Sequence, residues 1–172
     1  MKKTVAVLYA FLASILITTS ALAGGSVKLS IVTFNLGSLI ANGTLTGLGN
    51  TDVTVVLEAS GIPVIFCTNN GSNEVPGQSS PRISASGRQA LPGSDPLRKN
   101  GRSPFDVETD NPDLAWDAAG CPNSNWSARV DFVFWTNATI RVFDTNTGEP
   151  LLTRDFTCTT TRFPPSVSCT PV

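Results

Sequence analysis

The side chains that could do chemistry in this sequence are its carboxylates, tryptophans and cysteines, because the chain contains no histidine. Without histidine, Ser-His-Asp and Cys-His catalysis are excluded, and so are the usual ligand sets of zinc hydrolases. The Gly-x-Ser-x-Gly and Ser-x-x-Lys nucleophile motifs are also absent. The sequence therefore predicts a protein that is not an enzyme and has no catalytic residues. The remaining enzymatic alternative is a glycosidase, which needs only two suitably separated carboxylates among 13 acidic residues.

The densest group of carboxylates contains Asp106, Glu108 and Asp110. Calcium prefers oxygen ligands from a flexible loop, so these three residues are a candidate calcium site. Their spacing does not match the EF-hand loop, and a solvated acidic loop is the simpler interpretation. No cofactor-binding motif is present elsewhere, so the sequence predicts no cofactor.

Trp116 and Trp126 are candidates for carbohydrate binding, because a flat aromatic ring on a surface can hold the apolar face of a sugar. Trp126 follows residues 121–125, a polar turn that offers hydrogen bonds around such a ring. The alternative is that tryptophans beside a disulfide pack over it and fill the edge of the core. Exposure of either ring next to polar groups would favour carbohydrate binding, and burial of both would exclude it.

The four cysteines Cys67, Cys121, Cys158 and Cys169 lack the paired Cys-x-x-Cys spacing of a zinc site. An even number of cysteines in an exported protein indicates disulfide bonds, and four cysteines allow three pairings. The spacing favours Cys158 with Cys169, which closes a short terminal loop. Cys67 with Cys121 then spans the middle of the chain, and both bonds are expected to be structural.

Residues 1–23 have the three parts of a signal peptide. They begin Met-Lys-Lys, continue through an apolar stretch at 5–17, and end on Ala-Leu-Ala. The apolar stretch is shorter than the roughly 20 residues that span a bilayer, and no later segment comes close to that length. The sequence predicts cleavage after Ala23 and a single domain over residues 24–172. We expect the mature chain to be secreted, periplasmic or extracellular, and without a transmembrane segment.

The charge of the mature chain is low. Removal of Lys2 and Lys3 leaves 10 basic and 13 acidic residues, a net charge of about −3. There is no basic excess to attract nucleic acid, so no nucleic acid partner is expected. Arg98, Lys99 and Arg102 lie among Gly, Pro and Asn, and this composition predicts a solvated turn.

The apolar residues of the mature chain mostly recur with the period of strands. Residues 52–59 are rich in β-branched side chains, and Val130, Phe132 and Phe134 recur at every second position, which predicts that these three share one face. The predicted strands cover residues 27–36, 39–48, 52–59, 62–68, 82–90, 105–109, 127–135, 139–143 and 151–159.

One segment has helical signals. Asn111 offers a cap, Pro112 suits the first helical position and Gly120 suits the stop, so one short helix is predicted near residues 112–119. Residues 69–81 are dense in turn formers and predict a surface loop. The strand count and spacing predict an all-β protein, an antiparallel β-sandwich of the immunoglobulin-like type, with a jelly roll as the alternative.

Three strings carry a resemblance to known proteins. They read LTGLGNTDVT at 45–54, CTNNGSNEVPGQ at 67–78 and GCPNSNW at 120–126. In this order they resemble strings of an uncharacterised family of exported bacterial β proteins. The resemblance covers most of the mature chain, supports a β domain and makes the pairing of Cys67 with Cys121 natural. It implies no activity.

Two functions from different classes follow from these observations. The first is a non-enzymatic interaction protein of the extracellular space or the envelope, with an unknown protein partner. It rests on the missing catalytic set, the missing cofactor motif and the low charge. The second is a carbohydrate-binding module that uses an exposed tryptophan.

Overall fold

We analysed a computed structural model that describes residues 26–36 and 38–172; the predicted signal peptide at 1–23 lies outside the described residues. The described chain is all-β. Across these residues, no helix of the length and apolarity needed to cross a membrane is found. The strands are β1 Lys28–Asn35, β2 Ile40–Thr46, β3 Val53–Asn69, β4 Glu74–Pro76, β5 Ile83–Leu91, β6 Arg102–Glu108, β7 Trp126–Asp144, β8 Pro150–Arg162 and β9 Pro165–Pro171.

The strands form two antiparallel sheets that face each other in a sandwich-like arrangement. One sheet has the order β1-β2-β6, and the other has the order β4-β3-β7-β8-β9 with β5 also paired to β3. Alternate residues of each strand point between the sheets, as the period of two requires. The core between the sheets includes Leu39, Leu45, Val53, Val55, Leu57, Val107, Trp135, Ile140 and Val142, all at most 1% exposed.

The strands β3 and β7 are each longer than the sequence predicts. The segments 52–59 and 62–68 are one continuous strand, and so are 127–135 and 139–143. Pro63 lies within β3, where a missing N–H is normally disfavoured. On one side of β3, the pairing with β5 ends at Gly61 and the pairing with β4 starts at Phe66. Pro63 falls in this gap, which has no strand neighbour among the described residues.

The predicted helix near 112–119 is wrong. This segment has no helix and contains only hydrogen-bonded turns, from the N–H of Ala119 to the carbonyl of Ala115 and from the N–H of Cys121 to the carbonyl of Trp116. The predicted cap is used elsewhere, because the Asn111 side-chain oxygen accepts a hydrogen bond from the Ser38 hydroxyl at 2.7 Å. A segment this short does not offset the cost of nucleating a helix without its cap.

Both expected disulfide bonds are confirmed. Cys67 is bonded to Cys121 across 54 residues of sequence, and Cys158 is bonded to Cys169 across 11. Two disulfides are typical of proteins in an oxidising compartment, such as the periplasm or the extracellular space.

Arg98 is a structural clamp, whereas the sequence predicts a solvated turn. Its guanidinium donates hydrogen bonds of 2.8 Å to the carbonyl of Thr51 and of 2.8 Å to the carbonyl of Leu91. The first bond ties the loop after β5 to the loop after β2, and the second ties it to the end of β5. The signal is absent from the sequence, because nothing in the composition of a basic turn distinguishes a buried guanidinium from a solvated one.

We expect Arg98→Met to lower the free energy of unfolding by about 2 kcal/mol, because two part-buried carbonyls lose a charged donor. Urea denaturation of the oxidised protein measures this loss. The matched variant Lys99→Met removes an exposed neighbouring charge and should stay within about 0.5 kcal/mol of the wild type. Equal losses in both variants would contradict the clamp.

Candidate functional site

The candidate site is an arm formed by the end of β3 and the start of β7, beyond the pairing of β3 with β5 and of β7 with β8. The arm consists of residues 62–69 of β3, the short strand β4, and residues 126–134 of β7, joined in one antiparallel ladder. Apolar residues that alternate with polar ones in a strand are normally buried on one face only. In the arm, apolar side chains occur on both faces.

The inner face of the arm is covered by the chain that connects β6 to β7. Ile65 and Cys67 of β3 pack with Ala119 and Cys121 of this connection, and all four are at most 6% exposed. The disulfide between Cys67 and Cys121 fixes the connection to the strand. This small inner cluster is separate from the main core, and the half-buried Leu114, Trp126 and Ala128 pack against it.

The outer face of the arm carries an apolar patch, the outer patch, made of Ile62, Val64, Phe132 and Phe134. The register pairs Ile62 with Phe134 and Val64 with Phe132, and directly paired residues point to the same face. The two phenylalanine rings are in edge-to-face contact with centroids 5.2 Å apart. Ile62 is 42% exposed, and the other three are half-buried. No strand or loop needs to move to reach this face.

A β-bulge explains why the outer patch differs from the sequence prediction. The register of β7 shifts at Asp131, so that Val130 pairs with the buried Ile65 while Phe132 pairs with Val64. One extra residue reverses the alternation of a strand. The prediction that Val130, Phe132 and Phe134 share one face is therefore wrong.

A chain of ion pairs borders the outer patch. The Arg129 guanidinium lies 2.7 Å from the Glu74 carboxylate and 3.0 Å from Asp131, and Arg162 lies 3.0 Å from the other oxygen of Asp131. The hydrogen bond to Glu74, followed by the one to Asp131, raises the pKa of Arg129 above its ordinary value. Arg129 also lies over the Phe66 ring, 5.7 Å from its centroid. Two positive and two negative charges cancel, so the border of the patch is polar but neutral.

The two candidate tryptophans occupy different environments. Trp116 lies in the turn before Cys121 and is 38% exposed. Trp126 is half-buried against the inner cluster, beside the disulfide. One ring is thus exposed, as the carbohydrate-binding alternative requires, while the other packs near the disulfide. Carbohydrate binding stays a prediction.

The three candidate calcium ligands lie in a line. Asp106 and Glu108 belong to β6 and share its outward face, and Asp110 follows the strand. Alternate residues of a strand are roughly 6.5 Å apart, which spreads the carboxylates along the sheet. Within the part of the chain that the structure describes, no group of three acidic or cysteine residues is close enough to hold a metal ion.

A cleft of about 530 Å³ contains two acidic residues, Asp113 and Asp131, which is the feature a glycosidase would require. It lies between the β1–β2 connection, the start of the β6–β7 connection and the edge of β7. Both oxygens of Asp131 are already bound by Arg129 and Arg162. The glycosidase alternative stays an untested prediction.

Comparisons with known proteins return no match: no protein-family model fits the chain, and no curated protein or solved structure is significantly similar to it. The resemblance to exported bacterial β proteins stays a prediction. The function must therefore be inferred from the surfaces of the molecule.

Proposed function

We propose that this chain is a secreted, non-enzymatic interaction protein that binds a protein partner through the outer patch of the arm. The observation that carries the proposal is the apolar outer face formed by the exposed Ile62 and the half-buried Val64, Phe132 and Phe134. A sheet face turned to solvent normally carries polar side chains, as this sheet does at Glu58, Thr139 and Arg141.

The composition of the patch resembles the centre of a protein interface. Aromatic side chains are enriched there, charged residues are depleted, and a polar border surrounds them. In the arm, the aromatic pair Phe132 and Phe134 is the centre and the neutral ion-pair chain is the border. Side chains of this type that are locked by a sheet lose little conformational entropy when a partner binds.

We further propose that the sandwich is of the immunoglobulin-like type. In that fold, strands A, B and E share one sheet, and strands C, F and G share the other, with C′ beside C in the variable type. If β1, β2 and β6 are A, B and E, then β5, β3, β7 and β8 take the places of C′, C, F and G. Among the described residues no strand takes the place of D, and β9 follows G. The arm then grows from the C–C′ and E–F connections, and this order favours the immunoglobulin-like type over a jelly roll.

We expect Ile62→Asp to abolish partner binding with little effect on folding, because Ile62 is 42% exposed. Loss of a central apolar contact typically costs more than about 2 kcal/mol of binding, or roughly a 30-fold rise in Kd. Partners captured on the immobilised oxidised protein from the envelope and culture medium of the source organism would be purified and titrated against wild type and variant.

Val56→Asp is the matched control, since it places the same carboxylate on the outward face of the same strand, within the sandwich. Capture and affinity should be unchanged in this variant. Circular dichroism should show the same fold for both variants. A partner that binds Ile62→Asp as tightly as wild type, or the failure to capture any protein, would contradict the proposed function.

A further inference from the structure

The sandwich is open along one side, where the edges of its two sheets meet. Strand β1 is an edge of the three-stranded sheet, and β9 is an edge of the larger sheet. The two edges contact each other but do not pair. A groove of about 330 Å³ runs between them, at the lower end of the size range of small-molecule sites.

The groove is lined mainly by apolar side chains. The floor of the groove is formed by residues of β8 and β9, and its wall is formed by residues of β1. Phe156 of the floor is buried and stacks edge-to-face on Phe34 of β1, with ring centroids 5.1 Å apart. The lining residues are Leu29, Ile31, Val32, Arg154, Phe156, Cys169, Pro171 and Val172.

Arg154 is the exception in this lining, and its position is unusual. It pairs with Ile140, which is completely buried, so Arg154 belongs to the core-facing side of β8 between Leu152 and Phe156. Its side chain is nevertheless exposed, so the guanidinium lies in contact with water at the mouth of the groove. Among the described residues, no carboxylate lies within ion-pair distance of Arg154. The groove therefore combines an apolar lining with an exposed guanidinium that makes no side-chain ion pair among the described residues.

Ile31 adds a second unusual feature at the same place. It lies in the bulge where the register between β1 and β2 shifts, with φ of 50° and 83% of its surface exposed. A β-branched residue is strained in this left-handed conformation, and strain of this kind concentrates at binding sites. The bulge turns an apolar side chain toward the groove instead of pairing it.

We propose that this groove binds the acyl chain of a single-chain amphiphile and that Arg154 holds its anionic headgroup. The apolar floor and wall match the hydrocarbon chain, and the guanidinium matches a carboxylate or a phosphate, both of which accept paired hydrogen bonds from arginine. An aromatic and aliphatic lining with a single polar anchor is the usual composition of a small-ligand site. This site shares no residue with the outer patch, which lies on β3 and β7.

Calorimetric titration of the oxidised protein tests the proposal with three probes of equal chain length, each below its micelle concentration: dodecanoate, dodecyl phosphate and dodecyltrimethylammonium. The wild type should bind one or both anions and bind the cation at least tenfold more weakly. Arg154→Gln should weaken anion binding about tenfold and leave the cation unchanged. Tighter binding of dodecanoate identifies a fatty acid as the ligand class, and tighter binding of dodecyl phosphate identifies a phospholipid-type headgroup.

Two further variants separate binding from folding. Ile31→Asn removes the apolar wall while placing a residue that tolerates a positive φ, so it should weaken all probes without lowering the thermal midpoint. Arg88→Gln, which removes an exposed arginine of β5, should bind like wild type. Equal affinity for the cation and the anions, or unchanged anion binding by Arg154→Gln, would overturn the proposal. Absence of anion binding by the wild type would also overturn the proposal. If Arg154→Gln then self-associates, the role of Arg154 is to protect the open edge of the sheet.

Discussion

Replacement of both Cys67 and Cys121 by alanine is expected to lower the free energy of unfolding by about 4 kcal/mol, because the bond closes a long loop in the unfolded chain. The loop spans 54 residues of sequence. The loss is a large fraction of the stability of a domain of this size. Guanidinium denaturation under oxidising conditions measures it, with both cysteines removed so that no free thiol remains.

The second disulfide supplies the matched control. Replacing Cys158 and Cys169 by alanine opens a loop of only 11 residues of sequence, and should cost about 3 kcal/mol. Only loss of the first bond should release the β6–β7 connection from the arm, which limited proteolysis at residues 109–125 detects. A loss below about 1 kcal/mol for Cys67 and Cys121, with the connection still protected, would mean that the inner cluster alone holds this segment.

Gly87→Ala is expected to lower the free energy of unfolding by about 3 kcal/mol, because it adds a methyl group where the backbones of β5 and β6 are in close contact. A Cβ at Gly87 of β5 would overlap the carbonyl oxygen of Glu108 at the end of β6. The obstruction is backbone, so no side chain can move aside. The N–H of Asp110 donates a 2.9 Å hydrogen bond to the carbonyl of Ser86 beside this contact, and displacement of β5 would break it.

Urea denaturation of Gly87→Ala checks this expectation against Gly71→Ala. Gly71 lies in an exposed turn, where an added Cβ meets only the ends of two asparagine side chains, at 3.3 and 3.4 Å. The control should stay within about 0.5 kcal/mol of wild type. If Gly87→Ala unfolds at the same urea concentration as the control, the two backbones are not in close contact.

Much of the strand content was predictable because many of the strands satisfy a local rule. The segments 52–59 and 82–90 are rich in β-branched or alternating residues, and both lie in strands. Nine strands are predicted and nine are observed among the described residues, but the two sets are not the same. Two predicted pairs are fused into β3 and β7, while β4 and β9 had not been predicted. Whether two predicted strands join into one depends on the strands beside them. Pro63 is expected to interrupt a strand, but it is tolerated where one side of the strand has no partner.

The disulfide pairing was also predictable from spacing, whereas the outer patch was not. The alternation around Val130, Phe132 and Phe134 reads as a single face, and only the bulge at Asp131 separates them. A bulge is a property of two paired strands, so one strand's sequence does not reveal it. Arg154 could have been noticed, because it replaces an apolar residue in the alternating run of Leu152, Phe156 and Cys158.

The unbroken course of β3 and β7 from the sandwich into the arm has a mechanical consequence. A load on a partner held at the arm would travel along the covalent backbone of both strands into the middle of the larger sheet. There, β3 is hydrogen-bonded to the antiparallel strand β5, and β7 is hydrogen-bonded to the antiparallel strand β8. All four strands run along the direction of the load. Many hydrogen bonds would then share the tension in shear instead of opening one after another, as in a zipper. If the arm holds a partner as proposed, this arrangement would resist extension.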